Sequence, residues 1–292
     1  MVRRIVVVGP RNYFSSNDYI GAEEEKPFFR EGKFGDHAGY KAVRPIFMGG
    51  EFGCDAGENA NYPIFEGGKF GGWAGWNSNY PIFKGGKFGP LAGKFAIYPI
   101  FKGGEFGHRA GEESENPIFK GGKFGPKAGY RARNPIFEYG EFDAFAGENA
   151  EDPIVIGGEF GRSPLRGAKN IKAYLPKVKK VVENVKSGYA IIEKVRKVHI
   201  DSGDFFAYVT NPKIVKGLTK NAFYIDRSKL KEILREVDLD SFKKIEPKTQ
   251  EEFEEKEFEE LYETLSLAMD YLICRVDEEA VPLEEVLQKE KQ

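Results

Sequence analysis

Residues 117–134 read PIFKGGKFGPKAGYRARN, and this stretch is one copy of an 18-residue repeat. Copies follow one another without insertion or deletion. The consensus is P-I-F-x-G-G-[KE]-F-G-x-x-A-G-x-x-[AS]-x-x, and its positions are called places one to eighteen. The eight copies begin at Pro27, Pro45, Pro63, Pro81, Pro99, Pro117, Pro135 and Pro153. A fixed period of this length predicts a repeat architecture.

The composition of one copy argues against a helical repeat. Glycine costs about 1 kcal/mol in a helix interior, and the common helical arrays use repeats of about 33 residues or more. Apolar pieces of two to four residues between glycines suit short strands instead. The sequence therefore predicts a mainly β plus α fold, with a single-stranded β-solenoid of 18-residue coils. Its strands would stack in parallel about 4.8 Å apart.

Each recurring residue type predicts a position in the coil. Phenylalanine fills place eight in every copy and should stack in a column inside the solenoid. Glycines at places six, nine and thirteen should mark corners that need positive φ or close backbone approach. Isoleucine and phenylalanine at places two and three are adjacent, so they point to opposite faces of a strand. The sequence leaves open which of the two columns faces outward, forming an interface or a face covered by the C-terminal segment.

Glycine also indicates the domain organisation. Of the 35 glycines, 31 lie in residues 1–161, and the strict period ends shortly afterwards. We predict a solenoid over residues 1–166, with a degenerate ninth copy at 9–26 and a strand at Arg4–Val8 as an N-terminal cap. Residues 167–292 should form a small helical or α+β C-terminal domain.

Local patterns predict the elements of this second segment. The valines between Pro176 and Lys186 suggest a helix, and residues 189–200 and 205–210 suggest a hairpin. Asp226 should cap a helix that ends near Asp238. A long acidic helix is predicted over about 250–276. Its apolar line is Phe253, Leu261, Leu265, Ala268, Leu272 and Val276.

Charge divides the second segment. Residues 162–248 hold 21 Lys and Arg and 10 Asp and Glu, a net charge of +11, while residues 249–292 hold 4 and 15, a net charge of −11. One interpretation is a basic surface for nucleic acid or another polyanion. The other is that the acidic helix packs beside the basic elements and neutralises them. The candidate anion contacts are Lys177, Lys179, Lys180, Lys186, Arg196 and Lys197.

No residue is assigned a catalytic, cofactor-binding or metal-binding role from the sequence. His37 and His108 lie four coils apart, about 19 Å along the stack, too far to share a zinc ion. His199 lies in the second segment. Phosphate-loop, dinucleotide, zinc-protease and nucleophile-elbow motifs are absent from the sequence.

Other composition features predict the compartment. Cys54 and Cys274 make no disulfide framework, and the sequence has neither an apolar run of about 18 residues nor a secretory apolar segment. We predict a cytoplasmic protein without a membrane partner. Abundant lysine and glutamate suggest a thermophilic source.

Two families resemble the repeat. The segment FGPKAG at 124–129 resembles one hexapeptide of the left-handed β-helix of acyltransferases and gamma-class carbonic anhydrases, although the other two hexads of the coil depart from that pattern. The repeat is also similar to the GXGXG-motif β-helix, which is found in the glutamate synthase C-terminal domain and in formylmethanofuran dehydrogenase. There, units of the type G-x-x-x-A-G precede a glycine pair. The second resemblance implies a scaffold role.

Three functions remain open. The first is a non-enzymatic scaffold that mediates protein–protein association or self-assembly into a homo-oligomer. The second is a polyanion- or nucleic-acid-binding module that acts through basic residues 162–248. The third is a left-handed β-helix-type enzyme with an inter-subunit site, in which His37 or His108 meets an acidic partner from another protomer. The first is our prediction, with no cofactor.

Overall fold

Each repeat copy winds once around a parallel β-solenoid, so equivalent residues of successive copies pair with each other. The computed structural model describes residues 7–8, 19–242 and 255–289. The chain divides into unit 1, Met1–Arg133, and unit 2, Asn134–Gln292. The predicted β-solenoid with C-terminal helices is confirmed.

Unit 1 contains two columns of two-residue strands, and all pairs within each column are parallel. The first column comprises β1 (Val7–Val8), β2 (Phe28–Phe29), β4 (Ile46–Phe47), β6 (Ile64–Phe65), β8 (Ile82–Phe83), β10 (Ile100–Phe101) and β12 (Ile118–Phe119). The second comprises β3 (Lys33–Phe34), β5 (Glu51–Phe52), β7 (Lys69–Phe70), β9 (Lys87–Phe88), β11 (Glu105–Phe106) and β13 (Lys123–Phe124). Single bridges at place seventeen, such as Asn61 with Asn79, form a third line of pairing.

Two columns of phenylalanine rings form the core of unit 1. At place eight, the centroids of Phe52, Phe70 and Phe88 follow at 4.8 Å with the rings nearly parallel. At place three, Phe83 and Phe101 stack in the same way at 4.8 Å. The columns meet edge to face at 5.2 Å, a favourable arrangement for aromatic rings. The predicted column of place-eight phenylalanines is therefore confirmed.

Glycine is required at two corners of the coil, for a different physical reason at each. Gly93, at place thirteen, has φ +67°, and a Cβ on it would lie 2.9 Å from Cζ of Phe101. Gly89, at place nine, lies so close to the coil before it that a Cβ would meet the Gly71 carbonyl carbon at 2.7 Å. The two predicted reasons, positive φ and close approach, are both present.

Place two is the outward column, which answers the question the sequence left open. The place-three rings are fully buried, whereas Ile46 and Ile64 at place two are half-buried. Burial of place two increases along unit 1, and Ile118 has no exposed surface.

Unit 2 continues the coil pattern beyond the strict repeat. Its strands are β14 (Ile136–Phe137), β15 (Glu141–Phe142), β16 (Ile154–Val155), β17 (Glu159–Phe160), β18 (Ile171–Leu175), β19 (Lys177–Val178), β20 (Val181–Glu183), β21 (Ser187–Ile192), β22 (Lys197–Ile200), β23 (Asp204–Val209), β24 (Val215–Gly217), β25 (Ala222–Tyr224) and β26 (Val281–Pro282). β14, β16, β18, β21, β23, β25 and β26 follow one another in one sheet, β15, β17 and β19 in a second, and β20, β22 and β24 in a third. The division at residue 166 stays a prediction, but parallel pairing occurs on both sides of it.

Two local predictions in unit 2 are wrong. Residues 176–186 contain β19 and β20 instead of a helix, and the predicted hairpin is replaced by parallel pairing of β21 with β23. The valines that suggested a helical face lie on two strands and a corner, where Val178, Val182 and Val185 are buried. Ile171 pairs with Gly188, 17 positions on, so coils persist after the 18-residue period has gone.

The helices of unit 2 are α1 (Arg227–Val237), α2 (Leu239–Phe242), α3 (Glu255–Glu279) and α4 (Leu283–Lys289). The predicted helix capped by Asp226 is confirmed, since its Oδ1 accepts from the N–H groups of Ser228 and Lys229. Short 3-10 helices span Pro212–Ile214 and Thr219–Asn221. Residues 250–254 of the predicted long helix, including Phe253, lie outside the described residues.

Helix α3 covers the outward face of unit 2. It packs on β16 and β18, and Leu265, Leu272 and Val276 have no exposed surface. Ile154 on β16 is likewise fully buried. Within unit 2, therefore, the C-terminal segment covers the outward column, as one of the two predicted alternatives expected.

Three tyrosine hydroxyls attach α3 to the solenoid of unit 2. Tyr262 donates to the Asp152 carbonyl at 2.7 Å, and Tyr189 and Tyr208 donate to Asp270 and Asp277 at 3.3 and 2.9 Å. Burial raises the pKa of Tyr262 to about 12. Burial, followed by the nearby carboxylates, also raises the pKa of Tyr189 and of Tyr208.

These contacts predict alkaline destabilisation of unit 2. A folded-state pKa above the unfolded value of about 10 means that the stabilisation is complete below pH 10 and is lost as pH rises towards 12. We expect the melting temperature to fall over this range, and the triple change Y189F/Y208F/Y262F to flatten the fall. Melting curves at several pH values test this prediction.

Tyr271→Phe, on the exposed side of α3, is the control and should leave the pH profile unchanged. If the triple variant has the same pH profile as the wild type, the three hydroxyl contacts do not cause the alkaline destabilisation.

Candidate anion-binding surface

Five of the six predicted anion contacts lie on two neighbouring coils of unit 2. Lys177, Lys179 and Lys180 belong to β19 and the turn that follows it, while Arg196 and Lys197 lie at the start of β22. β20 pairs in parallel with β22, and the Arg196 N–H donates to the Lys180 carbonyl at 3.3 Å. All five side chains are exposed. The coil pairing thus brings together cations that are 16 or more positions apart in the sequence.

Lys194 belongs to the same surface, and reasoning from the sequence missed it. The Val178 N–H donates to the Lys194 carbonyl at 2.8 Å, which places Lys194 beside β19. The signal that could have found it is the basic run 194–197, of which it is the first residue. The basic surface is defined by Lys177, Lys179, Lys180, Lys194, Arg196 and Lys197.

The structure places Lys186 at a different corner. Its N–H donates to the Ala168 carbonyl at 2.9 Å, and its own carbonyl accepts from the Ser202 hydroxyl at 2.5 Å. It leads into β21, which belongs to a different sheet from β19 and β20. Lys186 is exposed but does not adjoin the other candidates through coil pairing.

The basic surface is poorly compensated by acidic groups. Lys177 Nζ lies 2.7 Å from Glu159 Oε1, but the other five cations form no ion pair with any residue in the described ranges. The hydrogen bond from Lys177 is the largest cause that lowers the pKa of Glu159, and the charges of Lys177, Lys179 and Lys194 lower it further. One carboxylate thus faces several ammonium groups.

The acidic helix α3 forms its ion pairs with residues outside the basic surface. Asp270 of α3 accepts from Lys172 at 2.6 Å, and Arg275 of the same helix pairs with Glu236 of α1 at 3.2 Å. The predicted neutralisation therefore applies to Lys172. It does not extend to the basic surface within the described residues.

A pocket of about 570 Å³ adjoins the basic surface. Ile156, Leu234 and Leu239 line its apolar part, and Lys177 and Lys194 supply cations. Its remaining walls come from Tyr139, Gly140, Gly157, Gly158, Glu159, Tyr174 and Pro176. Most small-molecule sites combine an apolar concavity of this size with a few polar groups.

Helix α1 supplies one wall of the pocket. Its cap at Asp226 starts the helix, and Leu230 and Ile233 bury its inner side. Leu234, on the next position, then faces the pocket. On the solenoid side, the Tyr174 hydroxyl donates to Glu193, whose carboxylate also lies 3.8 Å from Arg227 at the start of α1.

Two departures from the repeat signal the pocket in the sequence. Tyr139 replaces the glycine at place five, and Ile156 stands at place four, where the other copies carry Arg, Met, Glu or Lys. Neither departure contributed to the sequence-based predictions. No sequence pattern predicts that Leu234 reaches them from α1.

His37 has an acidic partner within unit 1. Its Nδ1 lies 2.6 Å from Glu58 Oε2, and its ring stacks on Tyr19 at 4.7 Å. Burial is the largest cause that raises the pKa of the adjoining Asp55, to which the charge of Glu58 adds. The enzyme hypothesis expected such a partner from another protomer, whereas Glu58 belongs to the next coil of the same chain.

The other two histidines have simpler surroundings. His108 is exposed, and His199 lies on β22 between Glu183 and Lys216 in the strand register. Within residues 7–8, 19–242 and 255–289, no three acidic, histidine or cysteine side chains are arranged to hold a metal ion.

Comparisons with known proteins give no relative for this chain. In the described ranges, no helix has both the length and the apolar character needed to cross a membrane. No protein-family model, no curated protein and no solved structure matches the sequence or the fold.

Proposed function

We propose that this protein is a non-enzymatic β-solenoid scaffold that holds a polyanion on its basic surface. The observation that carries the proposal is that five cations on neighbouring coils have no ion pair among the described residues. Solenoid pairing fixes the backbone positions that carry these side chains. The protein therefore loses less conformational entropy when a chain of phosphates binds. Phosphate contacts by lysine and arginine provide most sequence-independent affinity for nucleic acids.

The scaffold part of the proposal also has support in the repeat. The place-eight and place-three columns are uniform through unit 1, while the residue pair at places ten and eleven differs in every copy. This pattern is similar to the GXGXG-motif β-helix, and we propose that the chain shares its scaffold role.

The polyanion proposal predicts binding that depends strongly on salt. A labelled single-stranded DNA of about 20 nucleotides should lose more than tenfold in affinity between 50 and 200 mM salt, since about three or more phosphate contacts would each release counterions, and this release is less favourable at higher salt. The change K180E/R196E/K197E should weaken binding by at least about tenfold at low salt. Fluorescence anisotropy measures both effects.

A matched variant controls for net charge. K69E/K87E/K123E reverses three exposed lysines on the second strand column of unit 1, and it should change affinity by less than about twofold. Equal losses in the two variants, or affinity that is insensitive to salt, contradict the proposal.

Two other functions have specific support. The His37–Glu58 pair favours an enzyme, because a carboxylate that orients a histidine is a common general-base arrangement. The half-buried Ile46 and Ile64 favour self-association through the outward column of unit 1. Both stay predictions.

A further inference from the structure

The pocket beside the basic surface has the size and lining of a small-molecule site. Its volume of about 570 Å³ lies in the usual range of about 300–1,000 Å³. Leu234 on the helix side and the rings of Tyr139 and Tyr174 on the solenoid side present apolar surface to it, whereas Ile156 and Leu239 line it but are buried. An apolar or aromatic body therefore suits its interior.

Charge at the pocket favours a single negative group. Lys177 and Lys194 line it together with one carboxylate, Glu159. Glu159 is hydrogen-bonded to Lys177, so these three groups leave one uncompensated positive charge. Lys194 forms no ion pair with a described residue and is the side chain available to an incoming anion.

Two residues that line the pocket depart from the repeat. Tyr139 replaces the glycine that most copies carry at place five, and Ile156 brings an apolar group to a place that is charged in most other copies. Helix α1 then closes the other side with Leu234.

From this geometry we infer that the pocket binds a small amphipathic anion. The ligand has an apolar or aromatic body against Leu234, Tyr139 and Tyr174, and one carboxylate, sulfonate or phosphate group beside Lys194. This site goes beyond the proposed polyanion surface. It is independent of that surface except for the shared residues Lys177 and Lys194.

A pair of probes separates the two parts of the site. The anionic probe is 1-anilinonaphthalene-8-sulfonate, and the neutral probe is N-phenyl-1-naphthylamine, which has the same rings without the sulfonate. With the full chain at about 0.15 M salt, the anionic probe should bind once per chain, with a blue-shifted fluorescence that decanoate displaces.

Substitutions then assign binding to the pocket. Lys194→Met should weaken the anionic probe by about fivefold and leave the neutral probe within about twofold, because one charge contact is removed at a solvent-accessible site. Leu234→Trp should abolish binding of both probes by filling the apolar part. Lys69→Met removes a lysine paired with Glu51 in unit 1, as Lys177 is with Glu159, and should change neither probe.

The outcomes distinguish this site from the polyanion surface. K180E/R196E/K197E should impair DNA binding while leaving the anionic probe within about threefold, since those residues do not line the pocket. Equal anionic-probe affinity in wild type and Lys194→Met overturns the inference, as does binding of several probe molecules that Leu234→Trp does not reduce. Because Lys194 is exposed, its substitution keeps the test valid even if Leu234→Trp fails to fold.

Discussion

Replacing Phe101 with alanine should lower the free energy of unfolding by about 3–5 kcal/mol. Phe101 has no exposed surface. Its ring stacks between Phe83 and Phe119 at 4.8 Å on each side and meets Phe106 edge to face at 5.2 Å. The substitution removes these ring contacts and leaves a cavity between two coils that cannot close without breaking the parallel pairing. Chemical denaturation with the full chain measures the loss.

Two further variants show whether the stack itself is responsible. Phe101→Leu keeps much of the volume and should cost less than Phe101→Ala. Lys87→Ala changes an exposed side chain on β9 and should stay within about 0.5 kcal/mol of wild type. A loss below about 1 kcal/mol for Phe101→Ala would show that the rings do not form a continuous core.

Deletion of one complete coil of 18 residues should be tolerated, whereas a deletion of 17 residues should not. Removal of residues 85–102 joins Lys84 to Gly103 and restores the consensus, so Phe83 and Phe106 keep the spacing of places three and eight. In a solenoid each coil contacts only its neighbours, and we expect a cooperative transition with a loss below about 2 kcal/mol. Thermal and denaturant unfolding followed by circular dichroism give the comparison.

The shorter deletion, 85–101, leaves Lys102 as an extra residue in the corner between places three and eight. That corner is tight: in the intact chain a Cβ on Gly104 would lie 2.9 Å from the Gly86 carbonyl oxygen. Glu105 N–H donates to that same carbonyl, and after the deletion the equivalent acceptor is Gly68 in the coil before. The extra residue must break backbone hydrogen bonds of this kind between coils. We expect the free energy of unfolding to fall by at least about 3 kcal/mol. Equal stability of the two deletions contradicts one coil per copy.

The sequence predicts the solenoid well where each residue type has one physical role. Phenylalanine at place eight is buried in every copy, and glycine, which allows close approach, stands at place nine in all six copies of unit 1, so the period alone places both. After residue 166 these constraints loosen. Pairing distances become 17 positions, as from Ile171 to Gly188, and 15 positions, as from Ala207 to Ala222. Coils of unequal length leave no period to find.

The sequence also does not predict the left-handed backbone conformation of residues other than glycine. Trp73 and Phe95 have φ of 64° and 56°, a region that bulky side chains rarely adopt. Their N–H groups donate to the carbonyls of Pro90 and Glu112 in the next coil. Neighbouring coils therefore impose a conformation that the residue type does not indicate.

The candidate site was predicted only in part for a similar reason. Lysines near position 180 are visible as a charge cluster, but their alignment depends on parallel pairing between β20 and β22. The pocket further requires Leu234, which lies 78 positions from Ile156 in the chain. Docking of α1 against the coils depends on tertiary packing, and no local pattern encodes it.

Distances between spin labels on place seven test the central claim, that each 18-residue copy advances the solenoid by one strand spacing. With Cys54 and Cys274 replaced by serine, labels at position 33 combined with 87, 105 or 123 span three, four or five coils of unit 1. The account predicts label separations of about 14, 19 and 24 Å, increasing by about 4.8 Å per copy. Separations that do not increase linearly with the number of copies would contradict it.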